Sequence, residues 1–164
     1  MRMMAAILWL ALALEISAAQ PVAAAGNESG VTFMPAQKLL PELAKPSGRD
    51  RGITLNSLLS ARGYSAVLVR RTRAGSAELH RTVSDVWYVI DGGGTLVTNG
   101  ALVGARETEP GELRGERIAG GTARRIATGD FIAIPAGIPH WVSAIAGARL
   151  VYLVVKVKAP TRSK

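Results

Sequence analysis

Four side chains able to hold a metal ion fall in two short stretches of this 164-residue chain. Glu78 and His80 stand two residues apart, Asp85 follows a few positions later, and His140 lies far downstream. His80 and His140 are the only histidines present. A β-strand points alternate side chains to one face, so Glu78 and His80 share a face. Asp85 lies past a bend, on the neighbouring strand. If it faces inward, Trp87 and Val89 do too, and with Val142 they are expected to line a pocket beside it. His140 follows the turn Pro135-Ala136-Gly137. Two imidazoles and two carboxylates converging on one point suit a divalent ion. Imidazole favours Fe, Ni, Cu and Zn, and carboxylate shifts the preference towards Mn and Fe(II). The expected cofactor is therefore Fe, Mn, Ni or Zn. Two bland alternatives stand beside this reading. Glu78 could pair with a surface arginine, and Asp85 could be an ordinary bend residue after Ser84.

The elements that must position these residues read as strands. Ile53, Leu55, Ser57 and Leu59 alternate with their neighbours, and Tyr64 to Thr72 places Val67, Val69 and Arg71 on one face. Glu78–Thr82 and Asp85–Asp91 read as two strands with a tight bend between them. Gly92-Gly93-Gly94 reads as a turn, Thr95–Thr98 as a further strand, and Asn99-Gly100 as a hairpin signal. Residues 102–128 form a long polar insertion, compatible with a hairpin, with a functional and a merely solvated role equally open. Phe131–Ile134, Pro139–Ile145 and Arg149–Val157 complete the strands. Before them, Val31–Met34 suggests a short edge strand. Ala36–Ala44 suggests a turn or two of helix limited by Pro41. Tyr88 and Tyr152 are expected in the core, and Trp141 on the face opposite His140.

Bulk properties narrow the classes. The chain is one domain with enough residues for a real core. It contains no cysteine, which removes disulfides, thiolate metal sites and cysteine nucleophiles. Residues 1–25 read as an export signal. Arg2 precedes an uncharged apolar run from Met3 to Leu14, and small residues follow, ending at Ala23-Ala24-Ala25. This predicts a periplasmic or secreted protein with no membrane span after cleavage. Residues 26–50 then form an N-terminal extension, 51–158 the barrel, and 159–164 a basic tail. The formal net charge is +8. Its basic residues are scattered and not interleaved with aromatics, so no platform for stacking nucleic-acid bases is expected. The basic residues are read as a solvated surface. No phosphate loop, dinucleotide fingerprint or nucleophile motif is present.

The two stretches resemble the paired motifs of the cupin superfamily. His80, Asp85 and Gly92 fit the spacing of the first motif from its second ligand onward. Gly129, Pro135, Gly137 and His140 fall in register with the second. The resemblance departs from the family pattern at four positions. Glu78 stands for the first histidine, Asp85 for the glutamate, Ala144 for the closing asparagine and Thr72 for the opening glycine. It implies an all-β, cupin-type jelly-roll barrel, a metal held by Glu78, His80, Asp85 and His140, and a homodimer. It implies no reaction, because a fold licenses none by itself. Three functions remain: a metal-dependent enzyme acting on a small molecule, a non-catalytic module binding a small molecule or sugar, and a structural protein whose barrel mediates dimerisation.

Overall fold

A computed structural model describes residues 31–44 and 52–159. The chain divides into two compact units, residues 1–33 and 34–164. In the first, Val31 forms only an isolated bridge, and Val31 and Phe33 are exposed. The expected edge strand at Val31–Met34 therefore does not form. The export segment and most of the N-terminal extension lie outside the described residues. Among the described residues, no helix is long and apolar enough to cross a membrane.

The second unit is all-β. Among the described residues, one helix, α1 (Ala36–Ala44), precedes eleven strands. At nine residues α1 is two and a half turns long, and Pro41 sits inside it. The strands are β1 (Ile53–Ser60), β2 (Tyr64–Arg71), β3 (Ala77–His80), β4 (Val83–Thr98), β5 (Ala101–Val103) and β6 (Arg106–Glu109). They continue with β7 (Glu112–Gly115), β8 (Arg117–Ala119), β9 (Thr122–Ala127), β10 (Phe131–Ile134) and β11 (His140–Lys158). All pairings are antiparallel. The main sheet curls on itself as the expected all-β jelly roll.

Two long strands form its spine. β4 has 16 residues and β11 has 19, and they pair along almost their whole lengths. The expected turn at Gly92–Gly94 is instead the middle of β4. Gly92 has φ +75°, and a side chain there would collide with the Arg149 carbonyl oxygen. At Gly93 and Gly94 a Cβ would meet the carbonyl oxygens of Ile126 and Ala144 at 2.7 and 2.5 Å. The three glycines thus let β4 bend between two partner backbones without leaving the sheet. Opposite this bend the β4–β11 register shifts between Ala146 and Leu150, which merges the two expected C-terminal strands into one bulged strand.

The insertion is a single long hairpin. β4 pairs β9, β5 pairs β8 and β6 pairs β7 in continuous register from Gly93↔Ala127 to Glu107↔Leu113. Asn99 and Gly100 both have positive φ, as a tight turn requires, but they form a corner in one arm of this hairpin and not its tip. The tip strand β7 folds back and pairs with β3. Alternation along β4 buries Asp85, Trp87 and Val89 and exposes Tyr88, which corrects the expectation of a core Tyr88. The core gathers Trp87, Val89, Leu96, Val142, Leu150 and Tyr152 with their neighbours.

Candidate metal centre

β3, β4, β7 and β11 deliver the site. In β3, His80 is 3% exposed and Glu78 is half-buried. β11 begins with His140, paired with Glu78 and also 3% exposed. Donor atoms of Glu78, His80 and His140 all lie within 4.8 Å of one another, a spacing that could hold one metal ion. Asp85 lies outside that tightest trio. Its Oδ2 is 3.6 Å from His80 Nε2 and 3.7 Å from His140 Nε2. All four expected residues therefore meet at one place.

The two imidazoles are oriented alike. His140 Nδ1 lies 3.1 Å from the Ile138 carbonyl oxygen, so Nδ1 carries the hydrogen and donates it. Its Nε2 is buried without a hydrogen-bond partner among the described residues. His80 Nδ1 donates to the Glu112 carboxylate, and its Nε2 also faces inward. A histidine whose outer nitrogen is tied to a carbonyl or carboxylate presents its inner lone pair to a metal. The donor set thus fits a divalent ion. The rings lie 5.1 Å apart, and Trp87 packs edge-on to His140 and stacks on Tyr152.

The charges around these donors are balanced by basic residues. Arg114 on β7 stands opposite Glu78 in register and forms an ion pair with it. Arg71 on β2 reaches Glu78 Oε1 at 3.5 Å and donates from Nε to the Tyr152 hydroxyl at 2.8 Å. Lys156 Nζ lies 2.9 Å from Asp85 Oδ1, 3.2 Å from Asp85 Oδ2 and 2.9 Å from His80 Nε2. Trp87 Nε1 completes the Asp85 environment at 3.3 Å.

These neighbours set the protonation. Burial raises the cost of charge on Glu78, but the Arg114 and Arg71 guanidiniums outweigh it, and its carboxyl sits below its ordinary value. Burial likewise opposes charge on Asp85, and His80 and Lys156 overcome it, holding the group well below the usual carboxylate range. Burial pushes His140 down, which keeps the imidazole neutral and its lone pair free. For His80, burial and the Lys156 ammonium oppose charge on the ring, the Asp85 and Glu112 carboxylates outweigh them, and the net direction is upward. Burial holds the Tyr152 hydroxyl at about 12, so it stays protonated.

A cavity of about 490 Å³ opens onto the donors. Ile53, Leu55, Val67 and Val154 give it an apolar wall facing the charged cluster. Trp87 and Val142 line it, and Val89 does not. Val89 is completely buried in the core cluster. Trp141 borders the cavity and donates from Nε1 to the Gly75 carbonyl, tying the start of β11 to the loop before β3.

Sequence reasoning misses four residues of the site. Arg71, Arg114 and Lys156 read by type as solvated basic surface, yet all three face the cavity. Glu112 lies in the polar insertion. Strand alternation carries a signal for two of them. Arg71 follows Val67 and Val69 on one face, and Lys156 follows Tyr152 and Val154. Glu112 and Arg114 depend on the pairing of β7 with β3, which no local pattern reports. The Glu78–arginine alternative also proves real, although the arginines hold it inside the cavity.

The cupin family model matches residues 45–164. The chain belongs to the cupin family. Among solved structures, it resembles TT1209 from Thermus thermophilus at 19% identity, over 74% of this chain and 95% of that one, with a TM-score of 0.50. It also resembles oxalate decarboxylase from Bacillus subtilis at 17% identity, over 72% of this chain and 28% of that one, with a TM-score of 0.50. At these identities the likeness concerns the fold. No curated protein matches the sequence.

Proposed function

We propose that this cupin binds one divalent metal ion through Glu78, His80 and His140, with Asp85 as a fourth donor, and acts on a small molecule in the adjoining cavity. The observation that carries the reading is the shared orientation of the imidazoles. Each is fixed through Nδ1, by Ile138 or Glu112, and each turns Nε2 towards the same carboxylates. Bound there, an ion of Fe, Mn, Ni or Zn would supply Lewis-acid polarisation of an oxygen of the substrate. The chain's own groups hold and surround that substrate. The apolar wall receives its carbon skeleton, Arg71 and Arg114 fix Glu78, and Tyr152 remains a hydroxyl that steadies Arg71.

Elemental analysis of protein purified without chelator or histidine tag tests this reading. Near-stoichiometric metal, lost in both His80→Ala and His140→Ala, is the expected result. Absence of metal even after reconstitution with Fe(II), Mn, Ni and Zn sinks it. In that case a second reading gains, a binding module for a small molecule or sugar without turnover. One observation favours it: Arg71, Arg114 and Lys156 already neutralise the carboxylates.

Export to the periplasm or the medium belongs to the same proposal and rests on residues 1–25. N-terminal sequencing of the mature protein, with a start near Gly26 expected, tests it. A homodimer is proposed as well. Tyr88 and Phe131 lie opposite each other in register and are 51% and 70% exposed, which gives an aromatic patch for self-association. Light scattering should read twice the monomer mass, and a monomer at high concentration would refute it.

A further inference from the structure

Lys156 lies directly across the β4–β11 ladder from Asp85, and its ammonium group reaches the middle of the donor cluster. It makes three contacts of 2.9 to 3.2 Å, two to the Asp85 carboxylate and one to His80 Nε2. Those oxygens and that nitrogen are also the atoms the proposed metal would need. His80 has no other inward lone pair to offer, because its Nδ1 hydrogen is given to Glu112. A single lone pair cannot serve an ammonium hydrogen and a metal at once.

From this geometry we infer that Lys156 is an internal cation that competes with the metal for His80 and Asp85, so that loading requires its ammonium to leave. This rests on the metal reading above and adds to it a residue that controls loading. The side chain has a way out. Its side chain is 32% exposed, against 3% for Asp85, so part of it already borders solvent. Four flexible methylenes let the ammonium swing to water while the strand stays in place. Exchange also preserves local charge balance. Asp85 keeps a cationic partner in either state and is never left buried and unpaired, which would be costly. The swap therefore sets a threshold. The ion must outbid a charge-assisted lysine contact, a cost common to every ion, so only ions that bind the imidazole–carboxylate set strongly load the site. Once displaced, the ammonium remains at the cavity mouth, near any anionic group of an incoming ligand.

The test is titration of the purified full chain with Co(II) at pH 8, followed through its visible absorption and by competition with a chromophoric chelator. Lys156→Met should bind Co(II) at least tenfold more tightly than wild type. Lys158→Met, which removes an exposed charge two residues away, should stay within twofold and so separates local competition from general electrostatics. A second readout needs no variant. Amine acylation of the wild type, read by peptide mass spectrometry, should rise at Lys156 when Co(II) is added and stay constant at Lys158. Equal affinity in wild type and Lys156→Met with unchanged labelling, while His140→Ala abolishes binding, overturns the inference and leaves the metal reading standing. No Co(II) binding in any of the proteins overturns both.

Discussion

Glu112 offers a direct way to ask whether the long hairpin belongs to the site or only covers it. Its carboxylate accepts the Nδ1 hydrogen of His80, and the contact is made across the β3–β7 pairing. Removing it with Glu112→Ala frees the ring to rotate and weakens the basicity of Nε2. Loss of such an orienting partner typically lowers metal affinity 10- to 100-fold. Here the imidazole end is 3% exposed but the carboxylate end is 26% exposed, so water can replace part of the lost interaction. That places the effect near the lower bound, about tenfold or ~1.4 kcal/mol. Glu112→Gln keeps an acceptor without the charge and should recover part of the loss. Glu116→Ala, exposed on the same hairpin, should change nothing. The assay is Zn(II) affinity by chelator competition, with the unfolding midpoint of each metal-free variant measured alongside. If Glu112→Ala binds Zn(II) as tightly as wild type while folded, the claim that the hairpin orients His80 is wrong.

Other outcomes follow from the same geometry. Tyr152→Phe should cost about 1–3 kcal/mol in urea unfolding, because it strands the buried Arg71 Nε. A cycle with Arg71→Met should then show the double variant losing less than the sum of the singles, and additive losses would refute the coupling. Metal-free protein should lose stability steeply below about pH 4. Asp85 and Glu78 have depressed folded values, so their contribution is present above the ordinary carboxylate range and is lost as pH falls through it. His80 runs the other way, its contribution being complete below its ordinary value and fading as pH rises through the raised one. Asp85→Asn should therefore unfold more readily at neutral pH and show a shallower acid dependence, and a midpoint independent of pH down to about 3 would contradict this. Gly92→Ala should destabilise the fold by roughly 2 kcal/mol or more, since it combines positive φ with a clash against the Arg149 carbonyl; a neutral thermal shift would count against the β4 bend.

Much of the fold and the donors could be read from the sequence, because both depend on local rules. Period-two alternation ties Trp87 to the face of Asp85 and Val142 to that of His140, and the two histidines fall at matching positions of paired motifs. The errors arose where a residue's role depended on a distant backbone. Gly92–Gly94 looks like a turn locally, but the close approach of β9 and β11 requires glycine within a continuous strand. Val89 obeys the alternation yet does not line the cavity, because alternation fixes a face and not a depth. Tyr88 is exposed because the same alternation that buries Trp87 turns it outward. The charged frame of the site was the least legible part. Arg114 and Glu112 reach Glu78 and His80 only because the hairpin folds back by the length of three short strand pairs. Lys156 and Arg71 resemble surface residues by type, although the alternation of β11 and β2 puts them on the face that lines the cavity.

The most direct test of the central claim is anomalous diffraction from crystals of the full chain loaded with Zn(II), recorded on both sides of the zinc edge. One strong peak is expected inside the barrel, about 2.0–2.1 Å from the Nε2 atoms of both His80 and His140, with the Glu78 carboxylate turned towards it. A protein that stays folded and shows zinc only at surface positions, or none at all, would contradict it.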